Sequence, residues 1–364
     1  MEATKTPLQQ LESELGAEFY EWEGAVWPTT FGDPVAEYLA VRQGVGLVDS
    51  SGLRKWEFRG PDALRAADRL VTQDCAAMVD GRVHYTPMCA DNGTLLDDIT
   101  VFRFSENRVM VVSGLDASEV HFREGVNGLD LEIVALSDAR PSFQLQGPRS
   151  RDVLAKVSTV DLSTLSYFYF REGEVAGGDC IVSRTGYSGE LGYELFCRPD
   201  DAVRIWQALM EAGEEHGIRP YGLEAADFLR VESGLIFVTF DYMPGESTPF
   251  ELGLGWAVKF DKAAYRGRAA LERLATEDPA HRIVGLTFAG GTPPEVGATV
   301  TRSGEEVGTV TAACRSAILD RVLALAVLRG DLARAISTSV EVGDLGAEVA
   351  SIPFYDPEHR RPRA

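Results

Sequence analysis

Residues 91–101 read DNGTLLDDITV, a turn signal followed by an apolar strand that contains two adjacent carboxylates. Asp91-Asn92-Gly93 predicts a tight hairpin turn. Successive side chains of a strand point to opposite faces, so we expect Asp97 and Asp98 to meet different surroundings. One of them can enter a pocket, where a carboxylate orients a nitrogen nucleophile or accepts a proton. Alternatively, both cap the turn.

The segments around this hairpin predict a mixed sheet with helices on one face. Proline in the first turn and glycine after the last turn mark several of the helices. In chain order the expected elements are a helix over 34–44, a strand over 54–60, a helix from Pro61, strands between 84 and 112, a helix over 117–124 and a strand over 131–135.

The pattern restarts at Phe143 and changes again near residue 280. Between these points, alternating strands and helices are expected, with an amphipathic helix over 200–216, for which Asp200 is the candidate N-cap, and the last helix over 222–234. After residue 280, short β segments lie between glycines, which predicts a separate small barrel or sandwich. Residues 275–280 are the expected boundary.

Composition excludes several classes of function. The formal net charge is −21, which repels phosphate backbones, so we expect no nucleic-acid partner, and any anionic ligand would need a local basic pocket. No stretch approaches the roughly 18 uninterrupted apolar residues of a membrane span, and residues 1–16 lack the pattern of a secretion signal. Five scattered cysteines without a CxxC pair fit a reducing cytoplasm.

Common cofactor and metal motifs are absent from the sequence. No GxGxxG or GxxxxGK[ST] string occurs, so neither a dinucleotide site nor a P-loop is supported. The five histidines are isolated from one another, without the spacing that pairs two metal ligands, and we expect no metal site. A bound ligand would therefore be held by other side chains.

Residues 184–195 read RTGYSGELGYEL, in which three glycines allow a tight bend and a close approach of a ligand. Glu194 is the only charged residue between 191 and 197, and a lone charge there must reach solvent, pair or bind something because unpaired burial is costly. An edge strand with Glu194 in solvent is the alternative interpretation.

Two further segments carry candidate ligand contacts. Asp227 and Arg230 are three residues apart on a predicted helix and can pair with each other. Arg230 can instead hold a carboxylate bidentately. Trp256 lies in the glycine-rich segment 248–259 and can stack on a planar ligand, although core packing is the commoner role of tryptophan.

Taken in order along the chain, these segments resemble the tetrahydrofolate-binding aminomethyltransferase family, which includes the glycine cleavage T-proteins and related folate-dependent demethylases. The resemblance implies an α+β fold, a cloverleaf of three domains with folate in a central channel. The implied domains are a discontinuous folate-binding α/β domain over 1–52 and 140–275, a ferredoxin-like domain over 53–139 and a small β-barrel over 280–364. Further matching segments are 36–51, 58–70, 145–150, 260–271 and 353–363.

The resemblance also implies roles for individual residues. Asp98 matches the family's essential aspartate beside the reactive folate nitrogens, with Asp97 the less favoured candidate. Tyr187 and Glu194 match positions that hold the pterin ring. Glutamate can accept paired N–H bonds from an aminopyrimidine and tyrosine can pack on its face. The expected cofactor-binding set is completed by Arg230, near the anionic end of the folate, and by Trp256.

The sequence departs from the family pattern at several positions. Gly52 and Leu53 stand where T-proteins carry histidine and methionine, and Ala226 stands where the family has an arginine. Arg230 lies one turn after Ala226 on the same helix face and can compensate. Ser113 replaces the family's asparagine, and residues 310–313 read VTAA instead of VTSG. These changes cluster where the donor and a carrier protein would be sensed.

Three functions remain open on this basis. The first is an aminomethyltransferase that takes its group from a lipoyl carrier protein. The second is a demethylase that moves a methyl group from a small O-, S- or N-methyl donor to tetrahydrofolate. The third is a folate-binding protein without transfer activity, against which the retained Asp98 argues.

Overall fold

The computed structural model describes residues 5–364, which contain nineteen strands and nine α-helices. The strands are β1 (Glu18–Trp22), β2 (Ala25–Thr30), β3 (Gly46–Asp49), β4 (Arg54–Arg59), β5 (Val83–Cys89), β6 (Leu95–Ser105), β7 (Arg108–Ser113), β8 (Glu132–Ala135), β9 (Ser142–Gln146), β10 (Phe170–Val175), β11 (Gly178–Ser183), β12 (Gly192–Phe196), β13 (Arg219–Pro220), β14 (His281–Phe288), β15 (Thr299–Arg302), β16 (Glu305–Ser316), β17 (Arg321–Arg329), β18 (Ser339–Val342) and β19 (Leu345–Ala350). The helices are α1 (Gln9–Glu14), α2 (Pro34–Gln43), α3 (Ala63–Leu70), α4 (Ser118–Gly125), α5 (Ser150–Val157), α6 (Ala202–Gly213), α7 (Leu223–Ser233), α8 (Arg268–Leu274) and α9 (Gly330–Ala333). Within 5–364, no helix combines the length and the apolar character needed to cross a membrane.

The turn at residues 91–93 joins β5 and β6, as the sequence predicts. Gly93 adopts a positive φ of 86°, and the Ala90 amide donates to the Thr94 carbonyl at 2.8 Å. These strands belong to a five-stranded antiparallel sheet of order β5-β6-β7-β4-β8, called the middle sheet below. Without β5, its elements run β4-α3-β6-β7-α4-β8, the βαββαβ order of a ferredoxin-like unit.

A second, six-stranded sheet has the order β10-β11-β12-β9-β3-β13 and is called the outer sheet below. Its strand β3 precedes the middle sheet in sequence, whereas its other strands follow it. Helices α5 and α6 cover one face, where Leu145, Leu195 and Trp206 are buried together. The division into domains over 1–52 with 140–275, 53–139 and 280–364 stays a prediction.

The two sheets pack against each other through an apolar interface. Alternation along the strands directs one face of the middle sheet toward α3 and α4 and the other toward the outer sheet. The buried side chains of this interface are Val83, Phe102, Met110, Val112, Phe170, Ile181 and Phe196.

The C-terminal strands close into a barrel of order β14-β17-β16-β15-β18-β19. The sequence left a barrel and a sandwich open, and the structure selects the barrel. Closure leaves no unpaired sheet edge. Leu286, Val310 and Leu328 lie in the barrel's core.

A buried ion pair joins helices α2 and α7. Arg42 Nε donates to Glu232 Oε2 at 2.7 Å, and both side chains are fully buried. The hydroxyls of Tyr38 on α2 and Ser316 on β16 both donate to Glu232 Oε1. A single carboxylate therefore connects two helices with the barrel.

The same arginine also fixes the C-terminal segment. Arg42 Nη1 lies 3.3 Å from Glu190 Oε1, which accepts the Tyr355 hydroxyl at 2.8 Å. The amides of Phe354 and Tyr355 both donate to the Glu232 carbonyl at 2.9 Å. Residues after the barrel thus return to α7 and close the arrangement.

One local expectation from the sequence is wrong. Residues 200–216 were expected to form one helix with Asp200 as its N-cap. In the structure, Asp201 occupies the N-cap position of α6 and makes no capping bond, because its carboxylate pairs with Arg204.

We expect Glu232→Ala to lower the free energy of unfolding by at least about 3 kcal/mol, because it leaves the Arg42 charge buried without its main partner. Chemical denaturation followed by tryptophan fluorescence measures the loss. Glu277→Ala is the matched control, since it removes an exposed pair with Arg273 and should change the stability by less than about 1 kcal/mol. Equal losses in the two variants would contradict the conclusion that the Glu232 carboxylate holds α2, α7 and the barrel together.

Candidate active site

Asp98 lies on β6 with its carboxylate held from two sides. The hydroxyl of Tyr85, on the neighbouring strand β5, donates to Asp98 Oδ2 at 2.7 Å. The hydroxyl of Tyr242, from the segment after α7, donates to Oδ1. The residue as a whole is partly exposed, and the two phenols fix the orientation of its carboxylate.

Asp97 points to the opposite face, as strand alternation predicts. Its side chain is fully buried, and the hydroxyls of Ser113 and Ser118 donate to Oδ2. The backbone amide of Asp98 donates to Asp97 Oδ1 at 2.9 Å. Asp97 is therefore saturated by protein donors, and the interpretation that both aspartates cap the turn is wrong.

The two aspartates and the two tyrosines influence one another electrostatically. Burial raises the pKa of both carboxyls, and the charge of Asp98 raises the pKa of Asp97 further. Burial and then the Asp98 charge raise the pKa of Tyr85 and Tyr242 well above 10.0. Both phenols therefore stay protonated and act as donors to Asp98 at neutral pH.

Tyr187 lies in the glycine-rich turn and is half-buried. Its hydroxyl donates to the Ile236 carbonyl at 2.6 Å, and its ring centroid is 6.4 Å from that of Phe237. The charge of Asp98 contributes to the raised pKa of the Tyr187 phenol, after burial as the main cause. Tyr187 therefore lies in the same region as Asp98.

The glycines of this turn make room for one side chain. A Cβ at Gly186 or at Gly192 would overlap the amide of Gln146. Gln146 Oε1 accepts the Ser188 hydroxyl at 2.6 Å, so the turn is wrapped around a buried amide. These positions require glycine for close packing within the protein, in addition to any approach of a ligand.

Glu194 lies on β12, an interior strand between β11 and β9. Its residue is only 9 % exposed, so the interpretation as an edge-strand glutamate in solvent is wrong. The hydroxyl of Thr185 donates to Glu194 Oε2. Burial raises the pKa of this carboxyl, and the Thr185 hydrogen bond and the charge of Lys55 oppose the increase.

Arg230 is buried on α7 between two carboxylates. Its Nε donates to Asp227 Oδ1 at 2.6 Å, which confirms the pair that the spacing predicts. Its Nη1 donates to Asp241 Oδ2 at 2.7 Å, and Asp241 also accepts the hydroxyl of Thr311 in the barrel. The contact of Arg230 with an anionic ligand stays a prediction, and it would require sharing or exchanging one of these partners.

Trp256 lies in the short 3-10 helix Gly255–Ala257 and is 57 % exposed. Its ring centroid is 6.3 Å from that of Tyr85, with an interplanar angle of 31°. The indole also lines a cavity of about 310 Å³ together with Phe250 and Arg282. The other predicted site residues, Asp98, Tyr187, Glu194 and Arg230, do not line this cavity, so the role of Trp256 in ligand binding stays a prediction.

The structure explains one departure from the family pattern. A Cβ at Gly52 would overlap the indole of Trp27, which is buried on β2. The space for a side chain at this position is therefore occupied by Trp27, and the histidine of T-proteins cannot be accommodated without moving it.

Sequence reasoning missed three side chains close to the expected site: Tyr85, Tyr242 and Lys55. The hairpin register pairs Pro87 with Asp98, so a tyrosine two residues earlier on β5 could have been identified as a neighbour on the same face. No comparable signal exists for Tyr242, which reaches Asp98 across 144 residues of sequence.

Within residues 5–364, no group of three or more histidine, cysteine or acidic side chains is arranged to hold a metal.

Two family models match the chain. The GCVT N-terminal domain covers residues 8–262, and the glycine cleavage T-protein C-terminal barrel domain covers residues 281–356. An aminomethyltransferase from Halothermothrix orenii is 37 % identical over 356 residues, which cover 96 % of this chain and 99 % of the relative. A trimethylamine-oxide aldolase from Ruegeria pomeroyi is 38 % identical over 351 residues, which cover 91 % of this chain but 44 % of that protein.

The fold has a close counterpart among solved structures. The glycine cleavage system aminomethyltransferase T from Bartonella henselae superimposes with a TM-score of 0.89 at 27 % identity, covering 97 % of this chain and 98 % of the other. The sequence matches and this structural agreement extend over the α/β part and the barrel alike. The chain belongs to the glycine cleavage T-protein family.

Proposed function

We propose that the protein is a tetrahydrofolate-dependent one-carbon transferase of the aminomethyltransferase type, in which Asp98 orients the folate nitrogen that receives the one-carbon unit. The observation that carries this proposal is the Asp98 carboxylate, which the hydroxyls of Tyr85 and Tyr242 orient on a residue that is partly exposed. Membership of the T-protein family supports it.

The arrangement around Asp98 suits this chemistry. When bound, tetrahydrofolate supplies the nucleophilic nitrogen. Asp98 accepts a hydrogen bond from that nitrogen and can take up its proton, and burial brings the carboxyl's pKa closer to neutrality. Because Tyr85 and Tyr242 already fix both oxygens, little reorganisation is needed when the ligand arrives.

The residues proposed for the pterin ring fit their role chemically. Glu194 Oε2 is held by Thr185, and the second oxygen can accept N–H bonds from an aminopyrimidine. Tyr187 offers a half-buried ring face, and Trp256 an exposed one. We propose that Arg230 binds the anionic end of the folate. Asp227 and Asp241, its ion-pair partners in the structure, would compete with the ligand for the guanidinium.

Two donors are proposed. The first is an aminomethyl group on a lipoyl carrier protein, supported by the relatives named aminomethyltransferase. The second is a small methyl donor, which would make the protein a demethylase. The packing of Trp27 against Gly52 favours the small methyl donor. The indole occupies the space of the side chain that T-proteins carry at this position, near the expected donor site. The likeness to a trimethylamine-oxide aldolase also supports it.

We propose a cytoplasmic location. All five cysteines are free and buried, a state that a reducing compartment maintains. The predicted absence of a nucleic-acid partner stays a prediction that rests on the net charge of −21.

Calorimetric titration with tetrahydrofolate, followed by turnover assays, tests the function. Transfer from an aminomethyl-loaded lipoyl carrier would support the first donor, and transfer from methyl donors the second. Binding without any turnover would favour a non-catalytic folate-binding protein. No binding of tetrahydrofolate would refute the proposal.

We expect Asp98→Asn to retain tetrahydrofolate binding within about threefold and to lose at least about 100-fold in kcat, the usual scale of a lost acid–base contribution. The amide remains close in shape to the carboxylate but cannot take the proton. Asp91→Asn is the control, since Asp91 is exposed in the same hairpin and its loss should leave kcat unchanged. Full activity of the Asp98 variant would remove Asp98 from the mechanism.

We expect Glu194→Ala to weaken tetrahydrofolate binding by at least about 1.4 kcal/mol, a tenfold rise in Kd, because a buried charged acceptor is lost. Isothermal titration calorimetry measures the change. Glu174→Ala removes an exposed glutamate from the same sheet and should leave Kd unaltered. An unchanged Kd in the Glu194 variant would show that this carboxylate does not contact the ligand.

A further inference from the structure

Lys55 is a fully buried lysine at the start of β4. Its ammonium donates to the carbonyl oxygens of Leu53 at 2.8 Å and Ser51 at 3.2 Å. Two carbonyl dipoles do not neutralise a buried positive charge, which is costly unless it is paired. The surroundings of Lys55 therefore have to supply the negative charge.

The side chain points from the middle sheet toward the outer sheet. On β4, Trp56 and Phe58 are buried among the residues beneath α3 and α4, so alternation directs Lys55 to the opposite face. Its cross-strand partner Val112 belongs to the apolar interface between the two sheets. Lys55 thus carries a charge into an otherwise apolar contact.

Alternation on β12 directs Glu194 into the same interface, because Tyr193 and Leu195 are buried on the other face of the outer sheet and Phe196 lies in the interface. The charges of Glu194 and of Asp49, at the end of β3, both raise the pKa of Lys55. The guanidinium of Arg54 acts in the opposite direction. Burial outweighs these effects and lowers the pKa of Lys55 to about 7. The lysine is therefore poised between its charged and neutral forms near neutral pH.

The influence is mutual. Burial raises the pKa of Glu194, and Thr185 and then Lys55 oppose that effect. Burial also raises the pKa of Asp49, against hydrogen bonds from Ser51 and Thr6 and the charge of Lys55. Lys55 is therefore a cation that favours the ionised form of both acids.

We propose that Lys55 is a positioning residue for tetrahydrofolate, whose ammonium keeps Glu194 in the ionised form that accepts N–H bonds from the pterin ring. This inference rests on the proposed function. Lys55 makes no contact with the ligand in this role and acts through Glu194.

The same ammonium fixes the segment beside the expected donor. Ser51 and Leu53, whose carbonyls it binds, flank Gly52, and Gly52 packs against Trp27. Lys55 therefore links Glu194, the proposed acceptor for the pterin ring, with the segment around Gly52, where the sequence departs from the T-protein pattern.

A pH dependence of binding follows. Affinity requires Glu194 ionised, so it weakens as pH falls through the raised pKa of that carboxyl. Affinity also requires Lys55 protonated, so it weakens as pH rises through about 7. The alkaline limb is specific to Lys55, because a carboxyl that loses its proton as pH rises can only become a better acceptor and cannot weaken binding.

The test is the Kd of tetrahydrofolate, measured by anaerobic calorimetry between pH 5.5 and 9 for the wild type, Lys55→Met, Glu194→Gln and the double variant. We expect Lys55→Met to raise Kd at least about tenfold at pH 6.5, because the buried acceptor loses its cation, and to abolish the alkaline limb. In the Glu194→Gln background, the same substitution should change Kd less than twofold.

Lys262→Met is the matched control. Lys262 is also a buried lysine. Its ammonium pairs with Asp68 Oδ1 at 2.7 Å and binds the backbone carbonyls of Asp68, Val71 and Gln73. Its loss can lower stability but should leave the pH profile of binding unchanged. If Lys55→Met does not fold, Lys55→Gln retains a donor for the two carbonyls and replaces it in every comparison.

The outcomes separate this inference from the function on which it rests. A wild-type protein that does not bind tetrahydrofolate refutes both. Wild-type binding with an unchanged profile in the Lys55 variants overturns the inference alone. An equal effect of Lys55→Met with and without Glu194 also overturns it, because the lysine would then act on structure and not through the carboxylate.

Discussion

The buried pair of Arg42 and Glu232 is the interaction on which the rest of the arrangement depends. Glu232 receives donors from α2 and from the barrel, and its backbone carbonyl holds the segment after the barrel. Two charges without water are stable only when nearly all their hydrogen bonds are made. The pair therefore permits essentially one relative position of these parts, and that position fixes the direction in which α7 ends.

The end of α7 determines the geometry of the candidate site. Arg230, two residues before Glu232, holds Asp241, and Asp241 is followed by Tyr242, whose hydroxyl reaches Asp98. A carboxylate on the middle sheet is thus oriented by a side chain that depends on the packing of α7. This explains how a residue in one part of the fold can be positioned accurately by another part.

The same dependence sets the limit of what the sequence predicts. Alternation along β6 is a local rule, so the separation of Asp97 from Asp98 was predictable, and the spacing of Asp227 and Arg230 predicted their ion pair. Tyr242 could not be predicted, because its contact exists only after α7 has packed between α2 and the barrel. Glu194 lay between these cases: its isolation among apolar residues indicated a special environment, but the supporting Lys55 lies on another sheet.

The two adjacent aspartates show how the fold can keep two negative charges close together. Asp97 receives two hydroxyls and one amide, and Asp98 receives two phenols. These donors favour the ionised forms, whereas burial and mutual repulsion oppose them. Asp97 is already fully buried, so a bound ligand changes its surroundings little. Asp98 is partly exposed, so a ligand would act first on this carboxylate. Under the proposed function, exclusion of solvent would raise its pKa and the N–H donated by the folate would lower it, while Asp97 would keep a constant environment.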